Sequence, residues 1–351
     1  MLAKQRNVRP RKPLGDARSF DYATKPPAST SMLHHEIICK VTPLDRQLGR
    51  WPKISVPEAL QETLFSDSNL DIKSPSQMLV YALLDSAASP ELAARIEDLG
   101  EPHCCLFQGA AAVELRDVAP WLVQLNPKGT LTRQLFSDSG MPMDLWSCRP
   151  GIFLRSQLSL PDLRGHLRRL TRVQSPETKR WSYFRFWEPD MISAFLLNTD
   201  THNLLAFFQG GFELHLPDTQ GRWHRFRLAS QPETMPAARL RLTERDRNTL
   251  RAAVSERHLA ELFDWVRSNF ETPLTEQQRE GFLERTASAA RSEFATGDKR
   301  ILAHCLAASW MLGETAWTSS KITRDDIELT ARGALQLYER SYALSLKGHV
   351  A

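Results

Sequence analysis

The sequence predicts an α+β protein in which an N-terminal mixed α/β lobe is followed by a C-terminal helical bundle lobe. Strand and helix patterns alternate between about 78 and 228, whereas only amphipathic helices are indicated beyond 236. The length of 351 residues exceeds the roughly 250–300 residues at which one hydrophobic core stops growing, which favours two lobes. We therefore predict a basic, partly disordered extension over 1–77, an α/β domain over 78–230 and a helical lobe over 231–351.

Composition indicates a folded protein in a reducing compartment. Hydrophobic residues make up 42% of the chain and charged residues 25%, which leaves enough apolar surface to offset chain entropy. No run approaches the roughly 20 apolar residues of a membrane span, and the basic start lacks the apolar segment of a signal peptide. The five cysteines show no CxxC spacing, so neither a disulfide framework nor a zinc site is indicated. A cytoplasmic location without a membrane span is expected.

Positive charge is concentrated at the N-terminus. Five Lys and Arg precede the first acidic residue, Asp16, and the net charge of the whole chain is +4, so the remainder is nearly neutral. This balance does not support a broad nucleic-acid footprint. The segment up to about Ser76 is rich in Pro, Ser and charge, which predicts a disordered tail followed by an irregular lead-in.

The first elements of the α/β lobe are bounded by turn residues. The apolar run at 78–84 ends at Asp85 and predicts a buried strand. A helix is expected to begin at Ser89-Pro90 and to stop at Gly100. A strand at 104–107, a short helix at 110–115 and a strand after Pro120 follow.

The next segment joins a strand to a helix with a leucine stripe. Residues 151–156 predict the strand, and Ser159 with Asp162 has the spacing of a capping box. Leucines at 160, 163, 167 and 170 define one apolar face of the helix, and arginines at 164, 168 and 172 lie on the other.

An aromatic segment and three strands complete the lobe. Alternation of large side chains predicts a strand over 181–187, and Glu188-Pro189 introduces a helix over 190–197. Antiparallel strands are then expected at 204–208, 212–216 and 223–228, separated by glycine-containing turns.

The C-terminal lobe is predicted to contain four helices behind a Pro-containing linker at 231–236. Apolar residues at helical spacing predict a long helix that begins at Thr243-Glu244 and runs to about 270. The second helix is capped by Thr275 with Gln278 and extends to about 295. The third begins at Gly297-Asp298 and extends to 313. The fourth is capped by Thr323 with Asp326 and extends to about 346.

Sequence signatures of catalysis are missing. P-loop, GxGxxG, HExxH and GxSxG motifs do not occur, so we predict a protein that is not an enzyme and that binds no cofactor. The group His34-His35-Glu36 with Cys39 matches no common metal-site spacing and is interpreted as a polar loop. Cys104 and Cys105 are expected to face opposite sides of a strand, which favours a packing role for both.

The stretch from 151 to 185 is strongly basic. It holds eight Lys and Arg against two acidic residues. A solvated helix face with internal ion pairs is favoured over a patch that binds an anionic partner.

Five segments in a fixed order carry a family resemblance: YALLDSAASPEL (81–92), CLFQG (105–109), LRDVAPWLVQL (115–125), GIFLRSQLSLPDLRGHLRRLTRV (151–173) and YFRFWEPDMISAFL (183–196). Together they resemble the effector chaperones of the bacterial type VI secretion system, a family first catalogued as a domain of unknown function. The resemblance covers about 78–215. The positions that match the family pattern are Asp85, Ala119-Pro120-Trp121-Leu122, Ser156, His166-Leu167-Arg168 and Arg185-Phe186-Trp187-Glu188-Pro189.

The resemblance implies an adaptor that binds a toxin effector in the cytoplasm and helps to load it onto the spike protein VgrG, with no nucleic-acid partner. Contact with the partner is expected at the cleft between the lobes. The residues expected to take part are Trp121, Arg155, His166, Arg169, Arg185 and Trp187, the two tryptophans on condition that they are exposed.

Glu188 departs from the family pattern, which usually shows Asp there. The longer side chain keeps the carboxylate and extends its reach. Arg185 and Glu188 form either a strand-to-helix cap inside the lobe, which we favour, or a direct partner contact.

Two other classes of function stay open. A hydrolase would use Ser139, His166 or Cys105 and would need a base within about 3 Å of the nucleophile. A nucleic-acid-binding protein would use the basic tail and the stretch 155–185.

Overall fold

A computed structural model describes residues 32–66, 77–141, 144–219, 221–229, 238–294 and 298–313, together with the four positions 338, 339, 342 and 343. The α+β prediction is confirmed: a mixed lobe is followed by a helical region. The predicted basic tail, the linker at 231–236 and nearly all of the predicted fourth helix lie outside the described residues.

Seven strands form one antiparallel sheet. They are β1 (Leu33–Ile38), β2 (Leu79–Asp85), β3 (His103–Cys105), β4 (Pro120–Gln124), β5 (Gly151–Ser156), β8 (Phe212–Pro217) and β9 (Trp223–Leu228). A separate hairpin pairs β6 (Arg172–Gln174) with β7 (Trp181–Tyr183). The order across the large sheet is β1-β9-β8-β5-β2-β4-β3, so β1 and β3 are its edges.

The helices of the first lobe are α1 (Glu58–Phe65), α2 (Leu92–Asp98), α3 (Ala110–Glu114), α4 (Thr130–Leu135), α5 (Leu145–Cys148), α6 (Leu160–Leu170), α7 (Pro189–Asn198) and α8 (Thr201–Phe208). Those of the second region are α9 (Glu244–Asn269), α10 (Glu276–Arg279), α11 (Phe282–Phe294) and α12 (Lys299–Leu312). The predicted caps are confirmed at three starts: the Ser159 side chain accepts from the Asp162 N–H, Thr243 forms a capping box with Asp246, and Thr275 forms one with Gln278.

The sheet separates two hydrophobic cores because successive strand residues face opposite sides. From β2, Tyr81 and Leu83 enter the core beneath α6, α7 and α8, whereas Ala82 and Leu84 enter the core beneath α1, α2 and α4. The predicted divergence of the two thiols is confirmed, since Cys104 packs on the first core and Cys105 on the second. A third core fills the space between α9, α11 and α12, and α7 packs against α9.

The predicted irregular lead-in is wrong for 33–38 and 58–65. β1 pairs with β9 at the edge of the sheet, and the His35 ring stacks 4.3 Å from the Phe226 ring. Leu60 and Leu64 of α1 are fully buried in the second core. The few apolar residues of these segments are separated by Pro, Ser and charged residues. Neither segment therefore shows the hydrophobic periodicity of a strand or a helix.

The predicted strand at 204–208 is wrong, because those residues form the end of α8. Asp200 caps this helix by accepting from the Asn203 N–H at 2.8 Å. Leu204 and Phe207 face the first core. A short apolar run does not by itself separate a buried strand from a buried helix.

Two predicted boundaries also need correction. The predicted strand over 181–187 ends at Tyr183, because Phe184, Phe186 and Trp187 all turn into the core. The predicted single helix over 275–295 is divided into α10 and α11 at Gly281, whose φ of +63° lies in the left-handed region that glycine favours.

Two arginines of α6 bind the backbone around the edge strand β3. Arg164 donates from Nε to the Cys105 carbonyl at 2.7 Å and from Nη2 to the Phe107 carbonyl at 3.1 Å. Arg168 donates from Nε to the Leu106 carbonyl at 3.0 Å. The favoured solvated-face interpretation is therefore wrong for these two residues, which bind backbone acceptors.

No helix in the described part of the chain is long and apolar enough to cross a bilayer.

Candidate functional site

Three residues of the motif pattern meet at one end of the sheet. Asp85 ends β2, and its Oδ1 accepts from the Ala87 N–H at 3.0 Å. Its Oδ2 pairs with Arg185 Nη2 at 2.5 Å. Arg185 Nε lies 2.7 Å from Glu188 Oε1, so one guanidinium joins two carboxylates.

A fourth charged residue extends this group, which we call the polar junction (Asp85, Arg185, Glu188 and Arg257). Arg257 lies on α9 and donates from Nη1 to Glu188 Oε2 at 2.7 Å. Glu188 makes no side-chain cap hydrogen bond at the start of α7, so the favoured cap interpretation is wrong for it. The longer carboxylate instead bridges the first lobe to the helical region.

The motif residues Ser156 and His166 hold the chain around α6 and α8. His166 is buried, and its Nε2 donates to the Phe207 carbonyl at 2.8 Å while its Nδ1 accepts from Arg169 at 3.4 Å. Burial lowers the pKa of His166 to about 4, so the ring is neutral at pH 7. Ser156 Oγ donates to the Gly211 carbonyl at 3.2 Å. Both side chains are engaged in internal hydrogen bonds.

Most of the predicted partner contacts are buried. Trp121 is 6% exposed and donates from Nε1 to the Arg116 carbonyl, and Trp187 is 2% exposed. The two tryptophans were expected to contact a partner only if exposed, and neither is exposed. Arg155 is also buried and lies 3.3 Å from Glu213, and His166 is engaged as described above. Arg169 and Arg185 remain at the surface.

An exposed aromatic group lies beside the polar junction. Trp181 and Tyr183 of β7 are 53% and 49% exposed, and the Tyr183 ring lies 6.1 Å from that of the half-buried Phe107. Arg172 stacks 5.5 Å from the Trp181 ring centroid, and Arg185 is 44% exposed. We call these five residues the aromatic surface.

The aromatic surface and the polar junction share Arg185. Its guanidinium lies 5.9 Å from the Trp187 ring centroid, and Trp187 makes an edge contact with Tyr183 at 5.7 Å. The exposed Tyr183 ring therefore packs on the buried Trp187 ring, and the Arg185 guanidinium beside them is held by two carboxylates. Such an arrangement limits the side-chain entropy lost on binding a partner.

The sequence indicated Arg185 for this surface but not Trp181, Tyr183, Phe107 or Arg172. The alternation of Trp181 and Tyr183 around Ser182 is visible, and it places both rings on one face of a strand. Aromatic residues continue at 184, 186 and 187, and nothing in the sequence marks where exposure ends. The contact between Arg257 and Glu188 is not visible in the sequence either, because it depends on how α9 packs against the first lobe.

The nucleophiles considered for a hydrolase are poorly placed. Ser139 Oγ donates to Asp144 Oδ2 at 2.9 Å, and the same carboxylate accepts from the Ser139 and Met141 N–H groups. Burial raises the pKa of Asp144, but these hydrogen bonds outweigh it and lower the pKa, which weakens the carboxylate as a base. Burial raises the pKa of Cys105 and favours the thiol over the reactive thiolate.

Within the described residues, no group of three or more His, Cys, Asp or Glu side chains is arranged to hold a metal ion. His35 of the polar segment considered above lies 2.9 Å from His224 Nδ1, in the sheet edge rather than in a loop.

Residues 80–205 match a family model described as Domain of unknown function (DUF4123). The match covers less than half of the chain and runs from β2 into α8. It includes Asp85, Arg185 and Glu188 of the polar junction, and it includes the whole aromatic surface. Arg257 lies outside it. No curated protein and no solved structure matches the chain.

Proposed function

We propose that this protein is a non-enzymatic adaptor that binds a toxin effector of the type VI secretion system in the bacterial cytoplasm and assists its loading onto the spike protein VgrG. The ordered motif resemblance supports this activity, and residues 80–205, which match a domain of unknown function, contain the aromatic surface. The partner binds at the aromatic surface.

One observation carries the proposal: the polar motif residues are engaged in contacts inside the protein, while the neighbouring rings of Trp181 and Tyr183 are exposed. Asp85, Glu188 and His166 each have internal partners at hydrogen-bond distance. Trp181 and Tyr183 expose about half of their side chains. Tyr, Trp and Arg are the residue types enriched where binding energy is concentrated.

The experiment is affinity purification of the tagged full chain from its native bacterium, with the bound proteins identified by mass spectrometry. We expect a toxin and the spike protein in the eluate. The double substitution Trp181→Ala with Tyr183→Ala should lower toxin recovery at least tenfold, because truncating two anchor residues removes about 2 kcal/mol or more of binding energy.

Trp51→Ala is the matched control. Trp51 is 90% exposed but lies outside the aromatic surface, so its removal should leave recovery unchanged. Eluates that contain neither a toxin nor a spike protein would contradict the proposed function. An equal loss of toxin recovery with Trp51→Ala would show that the aromatic surface is not the binding site.

A further inference from the structure

β7 is an edge strand with one unpaired side. Its register with β6 places Val173 opposite Ser182. The Phe184 N–H donates to the Thr171 carbonyl at 2.9 Å, and the Ser175 N–H donates to the Arg180 carbonyl at 3.0 Å. Hydrogen-bonded and non-hydrogen-bonded pairs alternate in an antiparallel ladder. Residues 180, 182 and 184 therefore turn their backbone groups toward β6.

The intervening residues, Trp181 and Tyr183, turn their N–H and C=O groups the opposite way. No described residue forms a hydrogen bond with these groups. All three residues of β7 are exposed, and no described strand pairs with its outer side. Such an edge is a template for one more strand.

The surroundings of this edge are positively charged. Arg172, Lys179 and Arg180 are exposed, and none of them forms an ion pair with a described acidic residue. The nearest acidic residue in the hairpin, Glu177, lies 3.2 Å from Arg247 and accepts from Ser175. Three positive charges thus remain available to an acidic ligand.

We propose that β7 binds an extended, acidic segment of the toxin effector as an added third strand of the β6–β7 hairpin. The segment donates to and accepts from the backbones of Trp181 and Tyr183. Its apolar side chains lie on the two exposed rings, on the face that also holds Arg172, and its carboxylates alternate with them on the opposite face, toward Arg180. The identity of the partner rests on the proposed function, whereas the mode of binding does not.

The edge favours a polypeptide over a nucleic acid. Its free backbone groups include carbonyl acceptors as well as N–H donors, and a second strand supplies the complement of both. Phosphate oxygens complement only the donors. A hairpin of three-residue strands also offers too short a track for the extended charge contacts on which nucleic-acid affinity depends.

The test uses the full-length protein and synthetic probes. The first probe is a fluorescein-labelled peptide that alternates Glu and Val, and its binding is followed by fluorescence anisotropy. Three comparison probes are a Lys and Val peptide, the Glu and Val peptide N-methylated at alternate residues, and a single-stranded oligothymidylate. We expect the first peptide to bind at least tenfold more tightly than each of the others.

Two substitutions at one position isolate the backbone contribution. Tyr183→Ala removes the ring, and Tyr183→Pro removes the ring together with the outward N–H. Proline is tolerated where an edge strand points its N–H to solvent, so pairing with β6 should survive, and circular dichroism checks this. We expect the proline variant to bind the acidic peptide at least fivefold more weakly than the alanine variant.

Equal affinity of the two variants, unaltered binding of the N-methylated peptide, or tighter binding of the oligothymidylate would each overturn strand addition. Should the native effector be recovered with Tyr183→Pro as well as with Tyr183→Ala, the inference fails while the proposed function stands. Should the acidic peptide bind as expected while no effector is recovered from cells, strand addition stands and the proposed function fails.

Discussion

At His166, burial and hydrogen bonding act on one imidazole. The ring donates to the Phe207 carbonyl and packs against Gly210, where an added Cβ would lie 2.8 Å from the His166 Cδ2. The folded-state pKa of about 4 is below the ordinary value of 6.5. Between these values the unfolded chain binds more protons than the folded protein, so stability is present above pH 6.5 and is lost as the pH falls toward 4.

We predict that His166→Gln weakens this acid sensitivity. The lowered pKa corresponds to about 3 kcal/mol of stability lost between pH 7 and pH 4. Urea unfolding at intervals across this range measures it, and the substitution should reduce the slope against pH. Some slope should remain, because burial and the neighbouring His224 also lower the pKa of His35 to about 4. An unchanged slope would contradict this account of His166.

Glu101 should show the opposite sign. Burial raises its pKa to about 7 from an ordinary value of 4.5, so the folded protein binds more protons between these values and loses stability as the pH rises through them. We predict that Glu101→Gln stabilises the protein at pH 8 by about 1 kcal/mol, a figure reduced for the partial solvent access of this side chain. At pH 4 the substitution should have little effect, which is the internal control for thermal unfolding at both pH values.

At the scale of helices and strands, the sequence was informative wherever local chemistry decides the outcome. Ser159 and Thr243 mark helix starts because a cap needs only its own turn, and Gly100, with a φ of +69°, marks an end for a similar reason. The strand prediction for the apolar run 204–208 is wrong because the burial that decides its structure comes from residues distant in the sequence. The same holds for β1, which depends on β9 for every ladder contact.

The polar junction should couple α9 to the first lobe. We predict that Arg257→Met lowers the free energy of unfolding by about 1–3 kcal/mol, because Glu188 loses one of its two cationic partners. A double-mutant cycle with Glu188→Gln should give a coupling energy of about 1 kcal/mol. Hydrogen exchange should rise in α9.

Arg251→Met on the same helix is the matched control for the junction. Arg251 is largely exposed and lies 3.4 Å from the exposed Glu244, so its loss should cost less than about 0.5 kcal/mol. Equal effects of the two substitutions would show that the junction adds nothing to a surface ion pair.

At the scale of the whole molecule, the edge strand β1 completes the sheet. We predict that removing residues 1–40 destabilises the protein by at least about 3 kcal/mol relative to removing residues 1–31 only. The longer deletion uncovers Phe226, which is fully buried, and the β9 edge. Thermal unfolding and light scattering compare the two variants, and equal midpoints would show that β1 is dispensable.

The candidate site depends on contacts between residues that are distant in the sequence. The motif resemblance indicates Arg185 and Glu188, but the second partner of Glu188, Arg257, lies 69 residues away on α9. Trp121, Trp187 and Trp181 are chemically identical in the sequence, yet the first two are buried and the third is exposed. Exposure is a property of the assembled layers, and no local pattern encodes it.

The arginines of α6 have a consequence for how the protein behaves when it is crowded. Fibre growth by edge-to-edge pairing needs an edge strand with unpaired backbone groups. A second copy of the protein pairs with that edge and then exposes an equivalent edge of its own. The Cys105 carbonyl at the end of β3, and the carbonyls of Leu106 and Phe107 just after it, are already occupied by Arg164 and Arg168. A second copy that approached this end of the edge would find these three acceptors taken, so the arginines of α6 disfavour strand addition at this point of the sheet.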